Sequence, residues 1–258
     1  MDFGLDGQSP AAKRNGASLF PAKQLEYRNT ILRNLSTDSV DRLKLRFVEL
    51  PLRRPLENSE SGIQHIFFIE SGVGSMTSTF SDGSEVEVGL FGYESAIGIS
   101  AFMGVRRSLN RIYMQIEGTG YASKLADAEA EFCLGGTFQQ LALRYVQMQL
   151  TQATQSAACN AKHDTSQRLA RWLLLCSDRA GSTELALSQD FMAIMLGVQR
   201  TSVAIGMGRL KRRGVVDYTR GHIRLIHVPA LEVEACECYH LLKNHLNNYL
   251  QFDTGFVV

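Results

Sequence analysis

Residues 187–227 constrain the fold most, because they suggest two helices and a hairpin in a fixed order. Ser188 is a favourable N-cap, and apolar residues then recur at helical spacing as far as Leu196. Gly197 can take the left-handed conformation that a tight interhelical turn requires, so a second helix is expected near Gln199. After Gly214, two β-rich runs, 215–218 and 223–227, flank the turn 219–222. This order predicts a winged helix-turn-helix.

The second helix is expected to bury Val203, Met207 and Leu210, which leaves its first turns exposed. A recognition helix enters the major groove with its N-terminal residues toward the bases, and arginine can contact guanine through two hydrogen bonds. Arg200 is therefore the principal candidate for base contact, while the wing turn would carry Arg220 and His222 to phosphates. The expected DNA-binding residues are Gln199, Arg200, Thr201, Ser202, Ile205, Arg209, Arg220 and His222.

Charge is concentrated in the same region. Residues 200–224 contain seven Lys/Arg and one Asp, a net of +6, in a chain whose net charge is +1, so the remainder sums to −5. A local basic face suits phosphate contacts, which make affinity fall as salt rises. Two alternatives stay open: a solvated charged face, and a winged helix used for protein contact.

Residues 196–203, Leu-Gly-Val-Gln-Arg-Thr-Ser-Val, resemble the recognition segment of the Crp/Fnr superfamily of bacterial transcription regulators. The resemblance extends through residues 167–174 and 236–239, covers roughly residues 27–245, and implies that Arg200 is the arginine that reads guanine. Residues 236–239 resemble a subgroup without a well-known effector. Two further polar base-reading positions of the cAMP-binding members fall on Thr201 and Ile205, so a different operator is expected.

The domain organisation follows from length and composition. The 258 residues, 45% of them hydrophobic, suit two domains with their own cores. We expect a disordered leader at 1–24, a sensor domain at 25–133, a dimerisation helix and hinge at 134–162, and a winged-helix domain at 163–258. The first residues do not resemble a secretion signal, and apolar runs are far shorter than the roughly 20 residues of a membrane helix, so a cytoplasmic protein is expected. The five cysteines, an odd number, are expected to be free thiols.

The first half of the chain alternates short β-prone runs with turn residues, which predicts a β-barrel or jelly roll after two short helices within residues 27–45. Ser36 is the expected N-cap of the second helix, and Asp82-Gly83 marks a hairpin. Residues 57–131 hold eleven Asp/Glu against four Lys/Arg, so this domain should not lie on DNA. The expected fold class is α+β, with a sensor that resembles the family's cyclic-nucleotide-binding-like domain. The expected runs are 63–69, 73–80, 85–90, 112–116 and 121–125.

The resemblance also indicates whether the sensor domain can bind a cyclic nucleotide. The family's phosphate cassette needs a glutamate and, some ten residues later, an arginine; Ile99 and residues 108–110 occupy these positions here. We therefore expect a regulator that cAMP does not control. A cyclic-nucleotide-responsive regulator remains the alternative, because a shifted alignment could bring an arginine at 106, 107 or 111 to the phosphate. The candidate effector-pocket residues are Ile99, Ser100, Ser108 and Arg111. An unidentified small-molecule effector and RNA polymerase are further candidate partners.

Metal and catalytic sites find little support in the sequence. No cysteine precedes Cys133, which excludes the clustered thiolates of an oxygen-sensing iron–sulfur domain, and His65 is the only histidine before His163. Cys236 and Cys238 are expected within one helix, where residues two apart face different directions and chelate poorly. We therefore expect no catalytic residues, metal or cofactor. The rival from another class is a small-molecule-binding or enzymatic jelly roll whose winged helix contacts protein.

A long helix is expected over 136–160, with two apolar stripes. One stripe can cover the sensor domain and the other can pair with the same helix of a second subunit, which predicts a homodimer on a two-fold symmetric duplex. A helix buried within one monomer is the alternative. A capping box at Asp164–Gln167 should start the next helix, and residues 229–250 should pack on the DNA-binding domain or across the dimer. The stripes are Phe138, Leu141, Tyr145 and Met148, and Leu143, Val146, Leu150, Ala153 and Ala157.

Overall fold

A computed structural model of the chain describes residues 27–58, 61–108 and 110–250. The predicted disordered leader therefore lies outside the described residues. The helices are α1 (Thr30–Arg33), α2 (Thr37–Leu43), α3 (Leu125–Cys133), α4 (Thr137–Lys162), α5 (Thr165–Ala180), α6 (Gln189–Leu196), α7 (Arg200–Arg212), α8 (Val228–Glu234) and α9 (Cys238–Leu250). The strands are β1 (Arg46–Leu50), β2 (Pro55–Glu57), β3 (His65–Ile69), β4 (Val73–Thr79), β5 (Glu85–Phe91), β6 (Ala96–Ile97), β7 (Arg111–Ile116), β8 (Gly118–Lys124), β9 (Glu184–Leu185), β10 (Val216–Thr219) and β11 (His222–Leu225).

Two four-stranded antiparallel sheets make up the N-terminal half, the predicted sensor (the sensor half), in the orders β1-β8-β3-β6 and β2-β7-β4-β5. The predicted α+β class and jelly-roll-like arrangement are confirmed, whereas a closed barrel does not form, because no described strand pairs one sheet with the other. The Asp82-Gly83 hairpin joins β4 to β5 as predicted, with Gly83 at φ 81°. Strands β1, β2 and β6 were not predicted. Two of them are only two or three residues long, and β1 is exposed along most of its length, so it lacks a clear alternation of buried and exposed residues.

Helix α4 spans 26 residues and runs beside the sensor sheets, close to its predicted bounds. Its first stripe is buried, since Phe138, Leu141 and Tyr145 are fully covered in the same core cluster as Phe68. The second stripe is largely open in the single chain, where Leu143 is 51% exposed and Leu150 is 56% exposed. The helix thus has one occupied apolar face and one that remains available.

The C-terminal half, which the sequence predicts to bind DNA (the DNA-binding half), begins at α5, whose capping box between Asp164 and Gln167 is present as predicted. The Ser36 cap of α2 is likewise confirmed. Helices α5, α6 and α7 pack around a second core, and the small sheet β10-β11-β9 closes its side. Most residues of this core lie between 169 and 231, so this part of the chain forms a helical unit with a short sheet, as the sequence predicts.

The C-terminal segment breaks into α8 and α9, so the prediction that Cys236 lies within a helix is wrong. The helix ends because Ala235 takes an extended conformation, at ψ 159°. Helix α9 then packs on both α5 and α4. Its Leu246 and Tyr249 belong to the core of the sensor half, and the Tyr249 hydroxyl donates to the Glu94 carbonyl at 3.1 Å.

No single helix in the described part of the chain is long and apolar enough to cross a membrane. Helices α6 and α7 reach that length and apolar composition only when taken together, and the chain bends by 111° between them.

Candidate nucleic-acid interface

Helix α6 begins and ends through local interactions that the sequence predicts. The Ser188 hydroxyl accepts the backbone N–H of Phe191 at 3.2 Å. At the other end, Gly197 takes φ 62°, and the Arg168 guanidinium donates to the Leu196 carbonyl. A Cβ on Gly197 would lie 3.0 Å from a Val86 methyl of β5. Both the positive φ and this close approach favour glycine at the turn. The turn therefore directs the chain into α7 while it contacts the sensor half.

Helix α7 has the two faces that its sequence predicts. Val203, Met207 and Leu210 are buried, and Gly206 allows a close approach to Leu169 of α5, whose methyl would lie 3.0 Å from an added Cβ. The opposite face of the first turns is open, with Arg200, Thr201 and Ile205 exposed and Ser202 half-buried. Gln199 is exposed and occupies the N-cap position. The N-terminal end of α7 is therefore open enough to enter a DNA groove.

The wing is a two-residue hairpin between β10 and β11, in which Thr219 pairs with His222. Gly221 takes φ 79°, a conformation that glycine adopts without strain, and Arg220 projects as an exposed residue at the tip. Strand β9 pairs with β11 and attaches the hairpin to the rest of the half. The wing is therefore held in place by β9 and carries the basic residue Arg220 at its tip.

A cleft of about 720 Å³ lies between α6, α7 and the wing, and it brings Arg200 and Arg220 to one surface. His222 does not line this cleft. It lines a neighbouring depression of about 340 Å³ together with Glu184 and Arg224. Arg209 lies elsewhere again, since its guanidinium is 3.5 Å from the carboxylate of Glu234 on α8. The four basic or histidine members of the predicted set are thus divided into a pair in the cleft, Arg200 and Arg220, and two more distant residues.

Most of the basic residues of this surface have acidic neighbours. The ion pairs are Arg200–Asp190 (2.9 Å), Arg209–Glu234 (3.5 Å), Arg213–Glu234 (3.5 Å), Lys211–Asp217 (2.7 Å) and Arg224–Asp217 (3.8 Å). Asp190 and Glu234 lie outside residues 200–224, so they reduce the net of +6 to +4 (6 − 2). Within the described residues, Arg212 and Arg220 have no ion pair. Arg212 was not among the residues predicted from the sequence, although it lies in the basic run 211–213.

The sensor half contains a pocket of about 270 Å³ that includes three of the four candidate effector residues, Ile99, Ser100 and Ser108. Arg111, the fourth candidate, does not line this pocket. Successive residues of a strand face opposite sides, and on β7 Ile112 faces the pocket. Arg111 consequently lies on the outside, 3.0 Å from Glu85. No lysine or arginine occurs among the described residues that line the pocket.

A buried carboxyl group, Glu57 at the end of β2, lines the same pocket and was not identified from the sequence. Burial raises the pKa of Glu57, while hydrogen bonds from the Ser108 hydroxyl and the Gly98 backbone N–H partly oppose that shift. Arg106, a candidate under the shifted alignment, pairs with Glu129 at the surface instead. The pocket therefore presents an acid where a phosphate ligand would need a cation.

Another buried carboxylate, Glu87 on β5, connects the sensor half to α5. Its oxygens accept hydrogen bonds from the Ser75 hydroxyl and from the Trp172 indole N–H, each at 2.7 Å. Burial raises the pKa of Glu87 to about 7, against the lowering effect of these hydrogen bonds and of nearby arginines. The two halves thus share a titratable contact.

Comparison with known proteins bears on both halves. Residues 167–233 match the family described as the Crp-like helix-turn-helix domain. No curated protein sequence matches the chain. A putative Crp/Fnr-family transcriptional regulator from Eubacterium rectale is 14% identical with a TM-score of 0.62, over 79% of this chain and 96% of its own. FixK2 from Bradyrhizobium japonicum is 14% identical with a TM-score of 0.64, over 74% of this chain and 98% of its own. A CRP-family transcriptional regulator from Thermus thermophilus is 17% identical with a TM-score of 0.60, over 73% of this chain and 96% of its own.

These similarities confirm the predicted resemblance. The chain carries a Crp-like helix-turn-helix domain and has the fold of Crp/Fnr transcription regulators over most of its length. DNA-binding transcription regulation, which the sequence predicted, is the function that the matched domain supports.

Proposed function

We propose that this chain, a Crp-like helix-turn-helix domain joined to a jelly-roll sensor, is a cytoplasmic homodimer that binds a two-fold symmetric operator and is not controlled by cAMP. The observation that supports it most is the shared cleft of Arg200 and Arg220. An exposed arginine in the first turn of a recognition helix can reach base edges, and a basic wing tip beside it can reach the neighbouring phosphates.

The proposed DNA contacts include the remaining predicted residues. Gln199, Thr201, Ser202 and Ile205 lie at the start of α7 with Arg200. Arg209 and His222 lie outside the cleft, and we assign them contacts to the DNA backbone. We add Arg212, which is exposed and has no ion pair among the described residues. The pairing of Arg200 with Asp190 is between exposed groups, so a phosphate or guanine can replace the carboxylate at small cost.

The exposed stripe of α4 supports the homodimer. Leu143 and Leu150 are more than half exposed on a helix whose opposite face is fully packed. Exposed leucines on one helix stripe are removed from water when two such helices pair, and burial of an apolar side chain contributes about 1.5–3 kcal/mol. A two-fold axis along α4 would then relate the two recognition helices.

The sensor pocket supports independence from cAMP. Its described lining contains the Glu57 carboxyl and no cationic side chain, so an anionic phosphate would meet repulsion and no compensation. A neutral or cationic small molecule fits these groups better as an effector. RNA polymerase is a candidate partner of the DNA-bound dimer, and the proposed role is regulatory rather than enzymatic.

Titration of a symmetric duplex at two salt concentrations tests the proposal. Affinity should fall by about 10³-fold or more between 50 and 200 mM salt if roughly six phosphates are contacted by the dimer. The operator is found first by selection from random duplexes, and a duplex that keeps one half-site serves as the control. A flat dependence of log affinity on log salt, with no preference among duplexes, would favour the rival in which the winged helix contacts protein.

A further inference from the structure

Four side chains with metal-binding atoms converge where α4 ends. Cys159 lies in the last turn of α4, His163 follows that helix as its C-cap, Cys236 lies between α8 and α9, and Cys238 begins α9. Their four ligand atoms all lie within 4.8 Å of one another. The Sγ atoms of Cys159 and Cys236 are 3.5 Å apart, and the Cys238 Sγ lies 3.6 Å from the His163 Nδ1. The three cysteines are buried as a cluster of their own, separate from both main cores.

We propose that Cys159, His163, Cys236 and Cys238 bind one structural Zn²⁺. Zinc in structural sites takes four sulfur or nitrogen ligands at the corners of a tetrahedron, and Zn–S bonds of about 2.3 Å place the sulfurs about 3.8 Å apart. The 3.5 Å between the Cys159 and Cys236 sulfurs is close to that spacing. Three sulfurs and one imidazole complete the shell, so the site has no open position for substrate.

The orientation of His163 supports this assignment. Its Nε2 lies 3.1 Å from the Glu237 carboxylate, so Nε2 is the nitrogen that carries the proton. The Nδ1 lone pair is then free to face the Cys238 sulfur. A carboxylate that fixes the tautomer of a histidine is the usual outer partner of a zinc ligand. The side chain of His163 is 9% exposed, which restricts other contacts of its ring.

The surroundings compensate the charge of such a complex. Three thiolates and Zn²⁺ carry a net charge of −1, which needs a cation when it is buried. Arg171 of α5 is buried and interacts electrostatically with both Cys159 and Cys236. Its Nε and Nη1 have no hydrogen-bond partner among the described residues, so this buried cation can contribute to balancing the charge of the complex. The Gln155 amide also donates to the Cys238 sulfur at 3.0 Å.

The sequence predicted one helix across Cys236 and Cys238, in which the two thiols would be poor partners for a metal, and that helix does not form. Because Cys236 precedes α9 rather than lying within it, its sulfur and that of Cys238 can turn to the same point. The metal would join the end of the proposed dimer helix to the segment that follows the winged helix. It would thereby fix the hinge at which the two halves meet.

The test is metal analysis of the full chain, purified under reducing conditions from zinc-containing medium. We expect about one zinc per chain by elemental mass spectrometry, and Co²⁺ in its place should give the intense visible absorption of tetrahedral cobalt–thiolate. A strong chelator should lower the melting temperature of the wild-type chain by about 5 °C or more, and added Zn²⁺ should restore it. This reversible arm needs no variant to fold.

Two variants complete the test. Cys238→Ser should lose at least about nine-tenths of the bound zinc, whereas Cys133→Ser, which changes an exposed thiol outside the cluster, should keep it. A wild-type chain that holds no zinc under these conditions would overturn the proposal. So would unchanged zinc in Cys238→Ser. A Cys159–Cys236 disulfide found by peptide mapping in place of zinc would assign the cluster to thiol oxidation instead.

Discussion

The guanidinium of Arg179 lies 2.9 Å from the carboxylate of Glu94, and both side chains are almost completely buried. Arg179 belongs to α5 and Glu94 follows β5, so the pair connects the DNA-binding half to the sensor half. The same guanidinium donates to the Gln152 amide oxygen of α4 at 2.6 Å. Three parts of the chain therefore depend on one buried charge.

Removal of that charge should destabilise the chain strongly. Arg179→Met leaves Glu94 buried without a counter-ion, and loss of one partner of a buried pair typically costs about 3–5 kcal/mol. Urea denaturation measures the free energy of unfolding. Arg224→Met, which changes the exposed pair with Asp217, is the control and should leave the midpoint nearly unchanged. The double variant Arg179→Met/Glu94→Gln should recover much of the loss; no recovery would show that packing, not charge, is what Arg179 supplies.

Glu87 should make stability depend on pH. Since burial raises the pKa of Glu87 from 4.5 to about 7, the folded chain binds this proton more tightly than the unfolded chain does. Its contribution is fully present below about pH 4.5 and is lost as pH rises through about 7. Glu87→Gln should therefore gain stability relative to the wild type between about pH 5 and pH 8, on the order of 3 kcal/mol at the upper end.

Thermal melts across that pH range measure the difference. Glu85→Gln, which removes a partly exposed carboxylate from the same strand, is the matched control. A Glu87→Gln difference that does not change with pH would mean that the Glu87 carboxylate is solvated.

Arg200 and Arg220 should differ in what they recognise. Arg200→Ala should cost about 1–3 kcal/mol per half-site on the selected operator and relax preference at one symmetric base-pair position. Arg220→Ala should weaken all duplexes alike and reduce the salt slope by about one per subunit, or about two for the dimer. The comparison requires the operator, its single-base variants and random DNA, with each variant checked by thermal melting. Equal losses on operator and random DNA for Arg200→Ala would show that Arg200 reads no base.

The exposed stripe of α4 should control assembly. Leu150→Glu places a charge in the middle of the proposed dimer contact and should shift the chain to monomers at micromolar concentration, as sedimentation velocity would show. Val233→Glu on α8, where the side chain is 83% exposed, is the control and should leave the dimer intact. A Leu150→Glu chain that stays dimeric would place the subunit contact on another surface.

Cyclic nucleotides should have no effect. Millimolar cAMP or cGMP is expected to leave both the melting temperature and the DNA affinity unchanged, because the Glu57 carboxyl lies in the pocket without a cationic partner. A ligand at 100 times its dissociation constant would add about 2.7 kcal/mol of stability, so a clear thermal shift would refute this expectation.

Local features could be predicted from the sequence, and long-range ones could not. The Ser188 cap and the positive φ of Gly197 depend on residues close in sequence, so the first two helices of the winged unit were predictable. The side of β7 on which Arg111 lies depends on strand register, and its sequence alternation is too weak to fix that. The pocket around Glu57 and the four-residue cluster at the hinge each form only through the fold. The cluster alone joins residues up to 79 positions apart (238 − 159).

The return of α9 to the sensor half has a consequence for synthesis on the ribosome. Leu246 and Tyr249 help fill a core whose other residues begin at Ile31, so that core stays incomplete until α9 has emerged. Domains usually fold in order from the N-terminus during translation. Here, by contrast, we expect the first half to finish folding only after α9 has been made, with the apolar surface that Leu246 and Tyr249 cover left exposed until then.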